Sequence, residues 1–259
     1  MKNKTGFFEQ FYLALMKHRL YKKLLGLTRR QHAAYFMGIT FLLTLISYVV
    51  PMASLLVGIG GYKAFFTDKL PAFLIAEGEL SIETPLDFYL NQVHIVANAD
   101  VKEYTKEDLA SQEEYVLFFS KTNAVTNLSP LPMGFQYSML EADRVDNQYM
   151  ASLAPRFYGT VAGAGLVAWI SQMLSYAFLA LLFAVCGMGA NRLSGANLPF
   201  SRLYCIALYA ETMFALLSHM IIYFVTGILA YIVYFIGAMI SMRAMNTGIL
   251  LHVIKPPEP

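Results

Sequence analysis

The 259-residue chain is 57% hydrophobic and 14% charged, with a net charge of +2. Soluble domains run at about 45–50% apolar and about 25% charged, so this composition excludes an ordinary water-soluble enzyme and points to an integral membrane protein. The near-neutral total hides a segregation: residues 1–32 hold eight Lys/Arg and one acid, Glu9, whereas residues 62–156 hold seven Lys/Arg and fourteen Asp/Glu. Under the positive-inside rule, the first block belongs in the cytoplasm and the acidic middle outside the cell membrane.

Residues 1–32 read as a cytoplasmic, basic, amphipathic segment. Phe8, Phe11, Tyr12, Leu15 and Met16 share one helical face beside Lys17, Arg19, Lys22 and Lys23. That pattern suits a helix lying in the inner headgroup layer, each basic residue gaining about 1 kcal/mol from anionic lipid; the alternative is a solvated arm packed on a partner. The apolar face argues for the lipid bilayer, and against nucleic acid, as the partner of these charges. The basic leader and the apolar run after it are both too long for a cleavable signal peptide. Transmembrane helix 1 is expected over residues 33–57, kinked near Pro51. Gly58-Ile59-Gly60-Gly61 follows a membrane helix rather than a strand and has no phosphate-binding lysine motif, so it reads as a hinge.

Residues 62–156 are enough for a small extracytoplasmic α+β domain. Phe73–Ala76, a Glu77-Gly78 turn and Glu79–Glu83 spell a hairpin. Gln92–Ala97 alternates as a second strand region, Thr105-Lys106-Glu107-Asp108 resembles a capping box opening a helix to about Glu114, Tyr115–Ser120 and Phe135–Leu140 read as strands, and Asp143–Ala154 as a helix. Transmembrane helix 2 follows at 157–188, its Gly159 and Gly163 forming a GxxxG face suited to close helix packing. Leu203–Met242 then runs forty residues with two ionisable groups, Glu211 and His219. Its length gives two spans, 203–225 and 228–242, turning at Thr226-Gly227. Residues 243–259, with Arg243 and Lys255, make a cytoplasmic tail. The fold class is therefore a membrane all-α bundle of four transmembrane helices with an inserted extracytoplasmic α+β domain. Cys186 and Cys205 both fall at cytoplasmic ends of spans and are expected reduced.

Several short motifs carry a resemblance: Phe7-Phe8-Glu9-Gln10-Phe11, Leu70-Pro71-Ala72-Phe73 leading to Glu77-Gly78-Glu79-Leu80, and a third span opening near Phe200-Ser201-Arg202-Leu203 with Leu208-Tyr209-Ala210. With the span layout, they make the chain resemble an uncharacterised family of Gram-positive bacterial membrane proteins, a domain-of-unknown-function group, some of whose members are labelled maltodextrin-utilisation protein. The last spans alone are similar, more distantly, to the Yip family of multi-span proteins. The resemblance implies a multi-pass plasma-membrane protein, possible association with sugar uptake, and no catalytic residues. The chain departs from the family's frequent Asp-Thr-Gly by reading Asn98-Ala99-Asp100-Val101.

Glu211 lies about eight residues, near 12 Å, inside the third span, where an ionised carboxylate costs roughly 2.5–3.5 kcal/mol or more. Such a group faces the bundle interior and takes a partner; His219, Tyr209 and Thr212 are in helical reach, and Arg192, Arg202 and Arg243 across helices. It is either a proton or cation relay or a glutamate that locks packing. His219 alone is a packing residue before it is a ligand, and no HxxxH, HExxH or CxxC spacing supports a metal site. Glu77, Glu79, Glu83 and Asp87 read as a solvated strand face rather than a glycosidase pair. Asp143-x-x-Asp146 lacks the alternation of a calcium loop, and no nucleophile elbow is present. Neither a catalytic residue nor a metal or cofactor site is thus predicted. The expected function is a non-catalytic accessory or regulatory component of a membrane complex, with membrane-protein partners and a partner- or ligand-binding outer domain. The alternative is a small transporter or channel component that uses Glu211.

Overall fold

The computed structural model describes residues 5–90, 93–110, 114–128, 132–221 and 227–253. Helices α1 (Phe7–Met16), α2 (Tyr21–Leu25) and α3 (Arg29–Thr44) come first, then α4 (Val50–Gly58) and the single turn α5 (Tyr62–Ala64). Strands β1 (Phe73–Ala76), β2 (Glu79–Ile82), β3 (Leu86–Leu90) and β4 (Val93–Ala97) precede α6 (Lys106–Ala110). Then come β5 (Tyr115–Phe119), β6 (Asn123–Thr126), β7 (Met133–Gln136), β8 (Arg144–Asp146) and α7 (Asn147–Ser152). Four helices finish the chain: α8 (Ala154–Ser194), α9 (Phe200–Ala210), α10 (Thr212–Met220) and α11 (Ile228–Leu250). Among the described residues, four helical segments are long and apolar enough to cross a membrane: Arg29–Lys69, Ala154–Ser194, Phe200–Met220 and Ile228–Leu250. The chain divides into two compact units, residues 1–52 with 162–259, and residues 53–161.

The first unit is helical. Its core joins Leu13, Tyr21, Leu24, Tyr35, Ile39, Tyr176, Ala180, Leu203, Ile206, Tyr209 and Met245, so the amino-terminal helix is built into the bundle. Phe8, Tyr12 and Met16, read as the face turned to the headgroup layer, are exposed, while Gln10, Leu13 and Ala14 on the other side are buried. Phe7 packs on Gly38, nine residues into α3, which puts the start of α1 alongside the interior of that helix rather than at its end. A π turn at Leu45–Val49 follows α3, its closing bond running from the Val50 N–H to the Leu45 carbonyl. Pro51, one residue on, has no N–H for the Ser47 carbonyl, and such a deficit is what a π turn absorbs. Gly60 (φ 77°) and Gly61 (φ 91°) end α4, with the Gly61 N–H on the Leu56 carbonyl at 2.8 Å. Helix α8 runs 41 residues, about 60 Å and twice a hydrocarbon core. The GxxxG glycines do not pack on a described helix of this chain: Gly159 and Gly163 are exposed, and a methyl group on either would touch nothing within 4 Å. Close approaches fall instead at Gly165 on Tyr48, Gly187 on Met245 and Gly248 on Ile206. The turn foreseen at Thr226-Gly227 lies outside the described residues except for Gly227, which starts α11 at φ 64°.

The second unit carries the strands in two sheets, β2-β1-β8 and β3-β4-β5-β6-β7. The first hairpin is as expected, with Ala76 opposite Glu79 and both turn residues at positive φ, Glu77 at 54° and Gly78 at 79°. That double positive φ defines a type I′ turn. Strands β4 and β5 pair in parallel, which requires a crossover, and α6 supplies it. Leu109 of α6 covers Val116, Phe118 and Val125. Asp108 accepts from both the Thr105 N–H (2.7 Å) and its hydroxyl (2.9 Å), one half of the expected capping box. Those bonds hold its carboxyl below the usual range. Two expectations shift. Residues 137–139 form a 3-10 turn rather than strand, and β8 occupies Arg144–Asp146, so the helix begins only after Asp146, whose side chain caps the Tyr149 N–H at 2.8 Å.

Candidate functional site

The helical run expected around Glu211 loosens there by a single residue, while the Glu211 N–H still donates to the Ala207 carbonyl at 3.0 Å and its own carbonyl accepts from the Ala215 N–H at 2.9 Å. Glu211 separates α9 from α10, at φ −75° and ψ −11°. The Leu208 carbonyl, which an unbroken helix would pair with the Thr212 N–H, accepts the Tyr176 hydroxyl at 2.7 Å. The Thr212 hydroxyl in turn meets Tyr176 at 3.1 Å and Tyr35 at 2.7 Å. A carbonyl only accepts, so the Tyr176 proton goes to Leu208, the Thr212 proton to Tyr176, and the Tyr35 proton to Thr212. The chain Tyr35→Thr212→Tyr176→Leu208 is therefore fixed in direction.

A second ordered chain lies beside it. The Gln10 amide nitrogen donates to the Thr5 carbonyl at 3.1 Å, which leaves its oxygen to accept from the Tyr209 hydroxyl at 3.0 Å. His32 Nδ1 stands 2.8 Å from that hydroxyl and must donate to it, because the phenol has only one proton. Tyr209 thus joins α1, α3 and α9; it is not a partner of Glu211. Tyr21 and Tyr204 likewise donate elsewhere, to the Ala14 and Ala177 carbonyls.

These commitments leave Glu211 without a donor. The residue is fully buried, and neither carboxylate oxygen has a hydrogen-bond partner. The partners anticipated for it lie elsewhere. His219 is held by the Ala215 carbonyl (2.7 Å) and Gln172 (2.9 Å), while Arg192, Arg202 and Arg243 are exposed. Among the described residues no ion pair includes Glu211. The hydroxyl of Ser241 on α11 is also fully buried and unpartnered, a feature that a lone serine in an apolar run does not announce.

In the sheet-bearing unit Glu77, Glu79, Glu83 and Asp87 are exposed, with Glu79 paired to Lys121 at 3.0 Å and Asp87 to His94 at 2.7 Å. Tyr137 keeps a buried, unpartnered hydroxyl, and burial pushes that phenol up. A cleft of about 420 Å³ lies along β1, β2 and β8, with Glu83, Arg144, Asp146 and Asn147 in its lining. Cys186 and Cys205 are free, and no group of three or more His, Cys, Asp or Glu is gathered among the described residues.

Four helical segments of membrane-crossing length and apolarity, with a separate sheet-bearing unit inserted between the first two, define the class of this protein. Residues 8–246 match the profile of a family described as protein of unknown function (DUF1189), and the chain belongs to that family. No curated protein and no solved structure matches it.

Proposed function

We propose that this protein is a multi-pass component of the cell membrane, both termini cytoplasmic, whose sheet-bearing unit stands outside and engages a membrane-protein partner in an accessory, non-catalytic role. The observation that carries the reading is β7. This strand pairs only with β6 among the described residues, all four of its residues are exposed, and they include Met133 and Phe135. Met139 and Leu128 add exposed apolar surface nearby in sequence. An uncovered strand edge with apolar side chains is the kind of surface that another chain extends by strand addition. The link to sugar uptake or the envelope belongs to the same proposal and comes from the family resemblance. A photo-crosslinking residue at 133 or 135 in native membrane should trap one defined protein, while the same residue at exposed Glu141 should not. Equal, diffuse trapping at all three positions would refute it.

A second reading has its own support. The unpartnered Glu211 carboxyl is what a small transporter or channel component would use to carry a proton or cation. Glu211→Gln keeps the shape and removes the charge, so it should abolish any transport-linked phenotype on this reading; an unaltered phenotype ends it.

A further inference from the structure

Two fully buried side chains in the helical unit have polar atoms with no partner, Glu211 and Ser241. They come from different helices but from one level of the bundle. Gly248 of α11 packs on Ile206, and Gly237 on Phe214 and Leu217, so α11 runs antiparallel to α9 and α10. Glu211 and Ser241 both fall between these two close approaches.

We propose that Glu211 and Ser241 form a buried site for a small monovalent cation, with sodium competing against a proton for the carboxylate. The inference rests on the second reading above and gives its ligand. The site's chemistry follows from its surroundings. An ionised carboxylate inside protein needs donors or a counter-ion, since unpaired burial of charge is among the costliest acts in folding. Donors are missing because the phenols of Tyr35, Tyr176, Tyr204 and Tyr209 all give their protons to other acceptors. The available groups are oxygens, namely two carboxylate atoms and a serine hydroxyl. Oxygen ligands suit hard cations. A single carboxylate balances one positive charge, which selects a monovalent over a divalent ion.

The ionisable groups around Glu211 offer no competing counter-ion. The phenols of Tyr35 from α3, Tyr176 from α8 and Tyr204 from α9 are each committed to another acceptor. On α11 the nearest charge is Arg243, which is exposed; on α1, Glu9 pairs with Lys23; on α10, His219 is held by Gln172.

The test uses the purified full chain and dicyclohexylcarbodiimide, which reacts with buried carboxyls only when they are protonated. Labelling of Glu211 is read by mass spectrometry at fixed pH while choline is replaced by sodium at constant ionic strength. Sodium should suppress labelling, and lowering the pH should restore it. Glu211→Gln removes the labelled site and serves as the control. Ser241→Ala should label fully without sodium, yet need about fivefold to tenfold more sodium for protection, the worth of one lost polar contact. Labelling indifferent to sodium at every pH overturns the site, and unchanged sodium dependence in Ser241→Ala overturns the role of that residue. If sodium fails to protect while Glu211→Gln still abolishes a transport phenotype, the cation site falls and the transport reading stands. Sodium protection with an unaltered phenotype gives the reverse.

Discussion

Tyr209→Phe is the most informative single change in the helical unit, because it deletes one oxygen and almost no packing surface. The ring stays against Tyr35, whose centroid is 4.5 Å away. The lost hydroxyl, however, is what links His32 to Gln10 among the described residues. Gln10 is 2% exposed, so water cannot replace the missing donor at its amide oxygen. Leaving such a buried acceptor unmet costs about 1–3 kcal/mol. His32 is half-buried and can rehydrate, so its loss is nearer an ordinary bond, about 0.5–1.5 kcal/mol. Together these predict a destabilisation of roughly 2–4 kcal/mol, read as a lower unfolding midpoint in a mild detergent. Adding Gln10→Leu removes the orphaned amide, so the double variant should recover part of that loss, since taking away both partners costs less than taking away one. A change within about 0.5 kcal/mol for Tyr209→Phe, the range of a neutral surface substitution, would refute the buried placement of α1.

Three further outcomes follow from separate places in the molecule. A methyl group at Gly248 would stand 2.7 Å from Ile206 and 3.1 Å from Tyr21, both fully buried, so Gly248→Ala should lose about 1–3 kcal/mol by overpacking, whereas Gly163→Ala, which meets nothing, should be neutral in the same unfolding assay. Asn147 donates to the Phe66 and Pro71 carbonyls and accepts from the Phe73 N–H, so Asn147→Ala should cost about 1–3 kcal/mol and speed proteolysis of the sheet-bearing unit. The Tyr149 N–H, with smaller help from Arg144, holds the Asp146 carboxyl below its ordinary value. Its stabilising effect is therefore fully present above the unfolded value and fades as pH falls through the lower folded one, and Asp146→Asn should flatten that acid limb of the stability–pH curve.

What the sequence made legible was whatever a local pattern determines alone. Glu77-Gly78 announced a two-residue turn, and both residues do take positive φ. Long apolar runs announced four helices, though α8 and α11 extend beyond the spans read from hydropathy because residues past them, Asn191 on one and Ala244, Met245 and Ile249 on the other, are buried by packing that no local pattern shows. The amino-terminal helix could not be oriented, since Phe7, Phe8, Phe11, Tyr12, Leu13 and Ala14 give it apolar residues on most sides. The decision came from Gln10, a polar side chain buried because Tyr209 waits for it from almost two hundred residues away. Strand β8 was hidden for a similar reason. Three residues beginning with an exposed arginine have no alternation to read, and their pairing with β1 is nonlocal. Glu211 was visible as a lone acid in an apolar run. Its lack of any donor was not, because that depends on where five phenols, three of them on other stretches of chain, send their protons.

The most direct test of the membrane proposal is thiol accessibility in intact cells, with Cys186 and Cys205 first replaced by serine. A single cysteine at exposed Asp100 should react with a membrane-impermeant maleimide from outside, and one at exposed Asn197 only after permeabilisation. Labelling of both positions from the same side would contradict a sheet-bearing unit separated by a membrane from the α8–α9 loop.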